Sequence, residues 1–204
     1  LRKLEIYLKK EGLKENSLSQ VFRTIRAIYN IATKSSYQLA SPADYPFGEF
    51  TLSNRFEVDP DPDFIPLEEI RKIEKLSINP ESPLFDAKNY FLFSLYGGGL
   101  NSKDVASLKW SNKKGDIINL KRSKTNRKGK IHITEPLEKI LDHYQLFTGS
   151  NPSNYIFPIF NRSIHITEKQ RHDRFKNHRS EVINPSLKAL ATMAGLNREI
   201  TSKV

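Results

Sequence analysis

The 204-residue chain carries 33 Lys and Arg against 23 Asp and Glu, a formal net charge of +10 and a sequence pI near 9.7. It has no cysteine, which excludes disulfide frameworks, thiolate zinc sites and cysteine nucleophiles together and fits a reducing, cytoplasmic setting. Its 37% hydrophobic content, with 12 Phe and 8 Tyr, supplies a core, while the longest apolar run, Tyr90 to Tyr96, is interrupted by Ser94 and falls well short of the ~20 residues of a membrane span.

The first stretch predicts two helices. Leu1, Leu4 and Leu8 keep a helical stripe that Gly12 closes as a C-terminal cap. Ser17 and Gln20 have capping-box spacing, and Leu18, Val21, Phe22, Ile25, Tyr29 and Ala32 then recur on one helical face. The opposite side carries Arg23, Arg26, Asn30 and Lys34. Leu1 is not an initiator Met and no charged-then-apolar leader follows it, so a longer N-terminus is expected.

From Ser41 through Pro66 there are five prolines, with Asp59, Asp61 and Asp63 alternating among them. Proline removes amide donors and restricts the residue before it, so residues 46–64 read as a linker between a first domain, 1–45, and a second, 65–204. The acidic run lacks the Gly and distal Glu of a calcium loop and reads as a solvated turn.

The second domain opens with Pro66 at a helix start, Glu68 and Glu69 in its first turn, and Leu67, Ile70, Ile73 and Leu76 as its apolar stripe. Ser82-Pro83 starts another helix, apolar nearly all round from Tyr90 to Tyr96 and ended by Gly97-Gly98-Gly99. A short helix over Ser102 to Leu108 follows. Asp116 to Leu120 and Lys130 to Ile133 predict the two strands of a hairpin. Thr134-Glu135-Pro136 begins a helix with Leu137, Ile140, Leu141 and Tyr144 on one face. The remainder, after the apolar Tyr155 to Phe160, is mostly helical to Leu196.

The densest charge is Lys121, Arg122, Lys124, Arg127, Lys128 and Lys130, six cations within ten residues on the hairpin. A solvated turn is the plain alternative. The single sign of the charge and the small donors Thr125 and Asn126 instead suit phosphate oxygens, and a basic hairpin can follow a nucleic-acid groove. The surplus of +10 points the same way. No long helix sets a basic face against a Trp/Phe/Leu face, so nucleic acid is the expected partner and a membrane is not. The five histidines show no tight ligand spacing, and no metal or other cofactor is expected. His172 and His178 fall in a polar run, Lys169 to Arg179, expected as an exposed helical face. The glycine triplet lacks a following G-K-[ST], and no G-x-S-x-G elbow is present.

The order of these parts resembles the tyrosine recombinases, the phage-integrase family, and particularly the short integrases of mobile elements. Ser17-Leu18 with Arg23 through Ala32 is similar to the end of that family's helical core-binding (SAM-like) domain, and Tyr45-Pro46-Phe47 to the segment leading out of it. Leu95 through Trp110 resembles the first catalytic box, Y-x-x-G-L-R-x-x-[ED]-h-x-x-L-x-W with h apolar. Arg122-Ser123-Lys124-Thr125 with Ile131-His132-Ile133 looks like the hairpin of the catalytic lysine, and Tyr155-Ile156-Phe157-Pro158 like a phrase before the second box.

The resemblance implies a mainly α-helical protein: a core-binding domain, then an α-rich catalytic domain with a small β-hairpin sheet. It implies DNA integration and recombination through a 3′-phosphotyrosyl intermediate, without metal or ATP, by multimers assembled on double-stranded DNA. Lys124 takes the place of the lysine that protonates the leaving 5′-oxygen, although a generic phosphate contact is the simpler role. Asp104 takes the bracing acidic position. DNA-contacting positions are Arg23, Arg26, Lys34, Lys121, Arg122, Arg127, Lys128 and Lys130.

Two departures stand out. The arginine position of the first box holds Asn101, and Gly98, where some relatives carry Arg, is not Arg either. Lys203 would be the first residue of the second box, whose arginine and the later tyrosine nucleophile would fall beyond Val204. On this reading the 204-residue chain binds DNA without cutting it. A non-catalytic DNA-binding regulator built on the same scaffold is the rival, and a basic helical RNA-binding module is the third alternative.

Overall fold

The computed structural model describes residues 1–34, 36, 39–53, 55–57, 64–149 and 151–202. The acidic run Asp59, Asp61 and Asp63, read above as a solvated turn, lies outside these residues, as does Lys203. The chain divides into two units, Leu1–Asp63 and Phe64–Val204.

The first unit is built on α1 (Arg2–Lys10) and α2 (Glu15–Ala32). Gly12 sits at φ +82 just past α1, a conformation that costs glycine nothing and lets the chain reverse. Two expectations change here. Helix α2 begins at Glu15 after Lys14, so the Ser17–Gln20 capping box does not form; Ser17 already lies inside the first turn, and its amide donates to the Lys14 carbonyl. In α1 the buried residue is Glu5, while Leu4 is exposed.

Leu18 and Phe22 of α2 meet Phe47, Phe50, Leu52 and Phe56 in a small aromatic core. The Phe22 ring lies 5.0 Å from that of Phe50 and 5.4 Å from that of Phe56. The stretch expected to be linker therefore contributes four core side chains. Proline forbids regular elements there, but it does not prevent an irregular segment from burying aromatic rings.

The second unit is helical around a small sheet. Helix α3 (Leu67–Glu74) follows Pro66, and α4 (Pro83–Tyr96) is capped by the Ser82 hydroxyl, which accepts from the Leu84 amide at 3.3 Å. Residues Tyr90 through Ser94 of α4 are all buried, as the absence of a polar face requires. Next come α5 (Ser102–Ala106), three short strands, α6 (Glu135–Thr148), α7 (Glu168–His178) and α8 (Asn184–Met193). A π turn, Arg179–Ile183, joins α7 to α8, closed by the Asn184 amide on the Arg179 carbonyl. Pro185 has no amide for the next helical bond, and the wider turn accommodates that loss.

Strands β1 (Lys113–Lys114), β2 (Ile117–Lys121) and β3 (Lys128–His132) form an antiparallel sheet in that order. Its first strand is absent from the sequence reading, because two lysines carry no strand signal. Ile118, Leu120 and Ile131 turn into a core that also holds Phe91, Phe93, Leu137, Ile156 and Phe157. Among the described residues, no helix is long and apolar enough to cross a membrane.

Candidate nucleic-acid interface

The hairpin loop is short and closed. The Arg122 amide donates to the Arg127 carbonyl at 2.9 Å, and the Asn126 amide to the Arg122 carbonyl at 2.8 Å. Asn126 sits at φ +55, a left-handed conformation that Asn tolerates better than most residues. All of Lys121 through Lys128 are exposed. None of the six hairpin cations makes an ion pair with a described carboxylate.

The loop is anchored from below by α5. Asp104, 7% exposed, accepts a hydrogen bond from the Ser123 amide at 2.9 Å through Oδ1. This contact joins two stretches 19 residues apart and holds the backbone next to Lys124. Helix α5 is itself fixed at its N-terminal end. The Tyr90 hydroxyl donates to the Ser102 carbonyl, and burial pushes that phenol's pKa up. Asn101 accepts from the Lys103 amide at 2.9 Å through Oδ1, the geometry of a helix N-cap.

The turn ahead of α5 uses its glycines for backbone shape. A Cβ on Gly97 would stand 2.7 Å from Leu100 Cδ1 and 2.9 Å from the Phe93 carbonyl, while Gly98 and Gly99 take φ +84 and +69. That geometry is a tight helix-to-helix reversal.

The expected site residues thus fall into three groups. Asp104, Asn101, Lys124 and the hairpin cations Lys121, Arg122, Arg127, Lys128 and Lys130 lie on α5 and the hairpin it anchors. Arg23, Arg26 and Lys34 are exposed on or just beyond α2, in the other unit. Lys203 is outside the described residues.

Sequence reasoning missed two features. Ser123 contributes through its amide, which every residue but proline has, so no side-chain signal marks it. His178, expected on an exposed face, is instead half-buried; its Nδ1 lacks a partner, and burial, reinforced by Arg174, pushes its pKa down. It borders a cavity of about 210 Å³ in which the Tyr144 hydroxyl donates to Asp86 Oδ1 at 2.6 Å. Among the described residues, no group of three or more His, Asp and Glu could hold a metal ion.

No protein-family profile matches this chain, and no curated protein matches it. A solved structure titled as a crystal structure of XerA recombinase is similar over 93% of this chain, at 16% identity and a TM-score of 0.44. The chain spans 64% of the length of that structure. By its own elements the chain is mainly α-helical with one small three-stranded antiparallel sheet.

Proposed function

We propose that this chain is a duplex-DNA-binding part of a tyrosine-class DNA breaking-and-rejoining recombinase. The observation that carries the reading is the Asp104–Ser123 hydrogen bond. The sequence resemblance picks out the first box and the lysine hairpin separately, and this contact ties them to one another beside Lys124. The first unit then acts as part of a helical core-binding domain and the second as a catalytic body, which works as a multimer on DNA.

The hairpin cations neutralise backbone phosphates. In the reaction of this class, a tyrosine hydroxyl attacks the scissile phosphodiester and the phosphorus–5′-oxygen bond breaks. Lys124 gives a proton to the departing oxygen. A loop held at Ser123 keeps that ammonium near one position, which proton transfer in a transition state requires.

Asn101 favours a second reading. Its amide is engaged as the α5 cap and is neutral, so it supplies none of the cationic stabilisation that an arginine gives a phosphorane. A DNA-binding regulator without chemistry has that property.

Binding is tested by titrating a short duplex with the chain across a salt series. Affinity is expected to fall steeply between roughly 50 and 200 mM salt, as phosphate neutralisation dictates; salt-independent affinity, or none at low salt, overturns the proposal. Lys124→Ala in a longer protein that carries this chain together with the second box and the tyrosine separates the two readings. Loss of roughly 10²–10⁴ on an ordinary substrate, with near-normal cleavage of a 5′-bridging phosphorothiolate, assigns the proton to Lys124. Equal loss on both substrates removes Lys124 from the reaction, and absence of any cleavage by the unsubstituted protein supports the regulator.

A further inference from the structure

The two faces of the sheet differ sharply. Ile118, Leu120 and Ile131 are buried on one side. Alternation therefore sends Asn119, Lys121, Lys128 and Lys130 to the other, where they line an open groove of about 610 Å³ with Asn112 and Gly129. The register sets Asn119 opposite Lys130 and Lys121 opposite Lys128. Like charges placed directly across a sheet destabilise it, and no described carboxylate relieves this pair. The face is built for an external polyanion.

Lysines alone would hold that polyanion without regard to sequence, since phosphate contacts are the same at every base pair. Asn119 is different. It occupies the middle of the central strand, where asparagine has poor intrinsic preference, and its half-buried carboxamide makes no side-chain hydrogen bond among the described residues. Its neighbour in the groove is already occupied: Asn112 accepts from the Lys109 amide at 2.8 Å. A free carboxamide offers a donor and an acceptor side by side, the pattern that matches adenine N6 and N7 in the major groove. Paired strands ~4.8 Å apart make a ribbon that the ~12 Å major groove admits.

We propose that the solvent face of the sheet reads DNA sequence, with the Asn119 carboxamide selecting adenine at one base pair while the flanking lysines hold phosphates. This rests on the DNA-binding reading above. It adds a specificity determinant to a surface otherwise assigned only charge.

The experiment selects binding sites from a pool of duplexes with a randomised centre, using the 204-residue chain, Asn119→Ala and Asn119→Thr. The threonine variant keeps a strand-favouring residue, so loss of the sheet is separated from loss of the amide; circular dichroism checks all three. Lys121→Ala is the phosphate control. The unsubstituted chain is expected to enrich a motif with an adenine position favoured roughly 5- to 150-fold, the range of one bidentate contact. Both Asn119 variants should flatten that position alone, while Lys121→Ala weakens every duplex alike. Enrichment of no motif, or of the same motif by the variants, overturns the role of Asn119 and leaves DNA binding standing. Failure of the unsubstituted chain to retain any duplex overturns both.

Discussion

The two basic surfaces of this protein rest on very different supports. Among the described residues, Arg23 and Arg26 lie on α2, whose far face is held by six buried side chains, four of them phenylalanine. The hairpin cations stand on a sheet whose inner face joins thirty buried residues among those described. Spacing differs as well: helix α2 spreads its cations turn by turn, whereas the hairpin crowds six into ten residues. Crowded like charge repels itself, so it needs a scaffold that stays folded without a counter-ion. The comparison teaches that charge density here follows the strength of the underlying core.

The sharpest way to break this comparison is to remove one ring from each core. Phe22→Ala is expected to cost about 3–5 kcal/mol, more than a six-residue core can lose, and to abolish amide-exchange protection in α1 and α2. Phe93→Ala carries a similar cost, yet the larger core should keep slowed exchange in α4 and α6. Equal loss of protection in the two cases would show that core size does not separate the units.

The anchored loop provides the next test. Asp104→Ala leaves the Ser123 amide without its acceptor and is expected to cost about 1–3 kcal/mol while weakening DNA binding. Arg23→Ala should weaken binding too, yet change stability by no more than ~0.5 kcal/mol, because an exposed cation on the polar face of α2 carries little packing. Denaturant melts and duplex titrations of both variants check the contrast. Unchanged stability in Asp104→Ala would mean that the hairpin holds its own loop.

Acid should weaken the first unit in a way that traces to one residue. Burial alone would raise the Glu5 carboxyl, but Arg55 at 2.8 Å and Lys9 at 3.2 Å outweigh it and hold its pKa below the ordinary carboxylate value. A carboxyl with a depressed folded pKa adds stability that is present above its unfolded pKa and lost as pH falls through the folded one. Arg55 also lies 4.1 Å over the Phe50 ring, so this charge pair is joined to the aromatic core. Unfolding followed by α2 amide exchange should show stability declining through the acidic range. In Glu5→Gln that decline should be shallower; identical slopes would assign the acid sensitivity elsewhere.

The smallest expected effect runs opposite to function. Lys128→Thr removes half of the Lys121–Lys128 pair and puts a strand-favouring residue in its place. Stability should rise by a few tenths of a kcal/mol as DNA affinity falls and the salt slope drops by about one. A fall in both would show that the lysine stem packs on the sheet.

Much of this molecule was legible in its residues. The 3.6 period placed α2, α3 and α6, Ser82-Pro83 marked the start of α4, and two short runs flanking the basic stretch marked the hairpin strands. These signals are local, because a helix or strand must bury one face whatever it packs against. The concentration of cations between Lys121 and Lys130 was equally plain, and so was the resemblance of Leu95 to Trp110 to a catalytic box. Only the tertiary structure decided what these pieces do to one another. It brought Asp104 under Ser123, drew Phe47, Phe50 and Phe56 into a core, and half-buried His178. Each depends on a partner distant in the chain, and a residue's type records what it can bond or bury, while its neighbour in space is set by how the helices and the sheet close over a shared core.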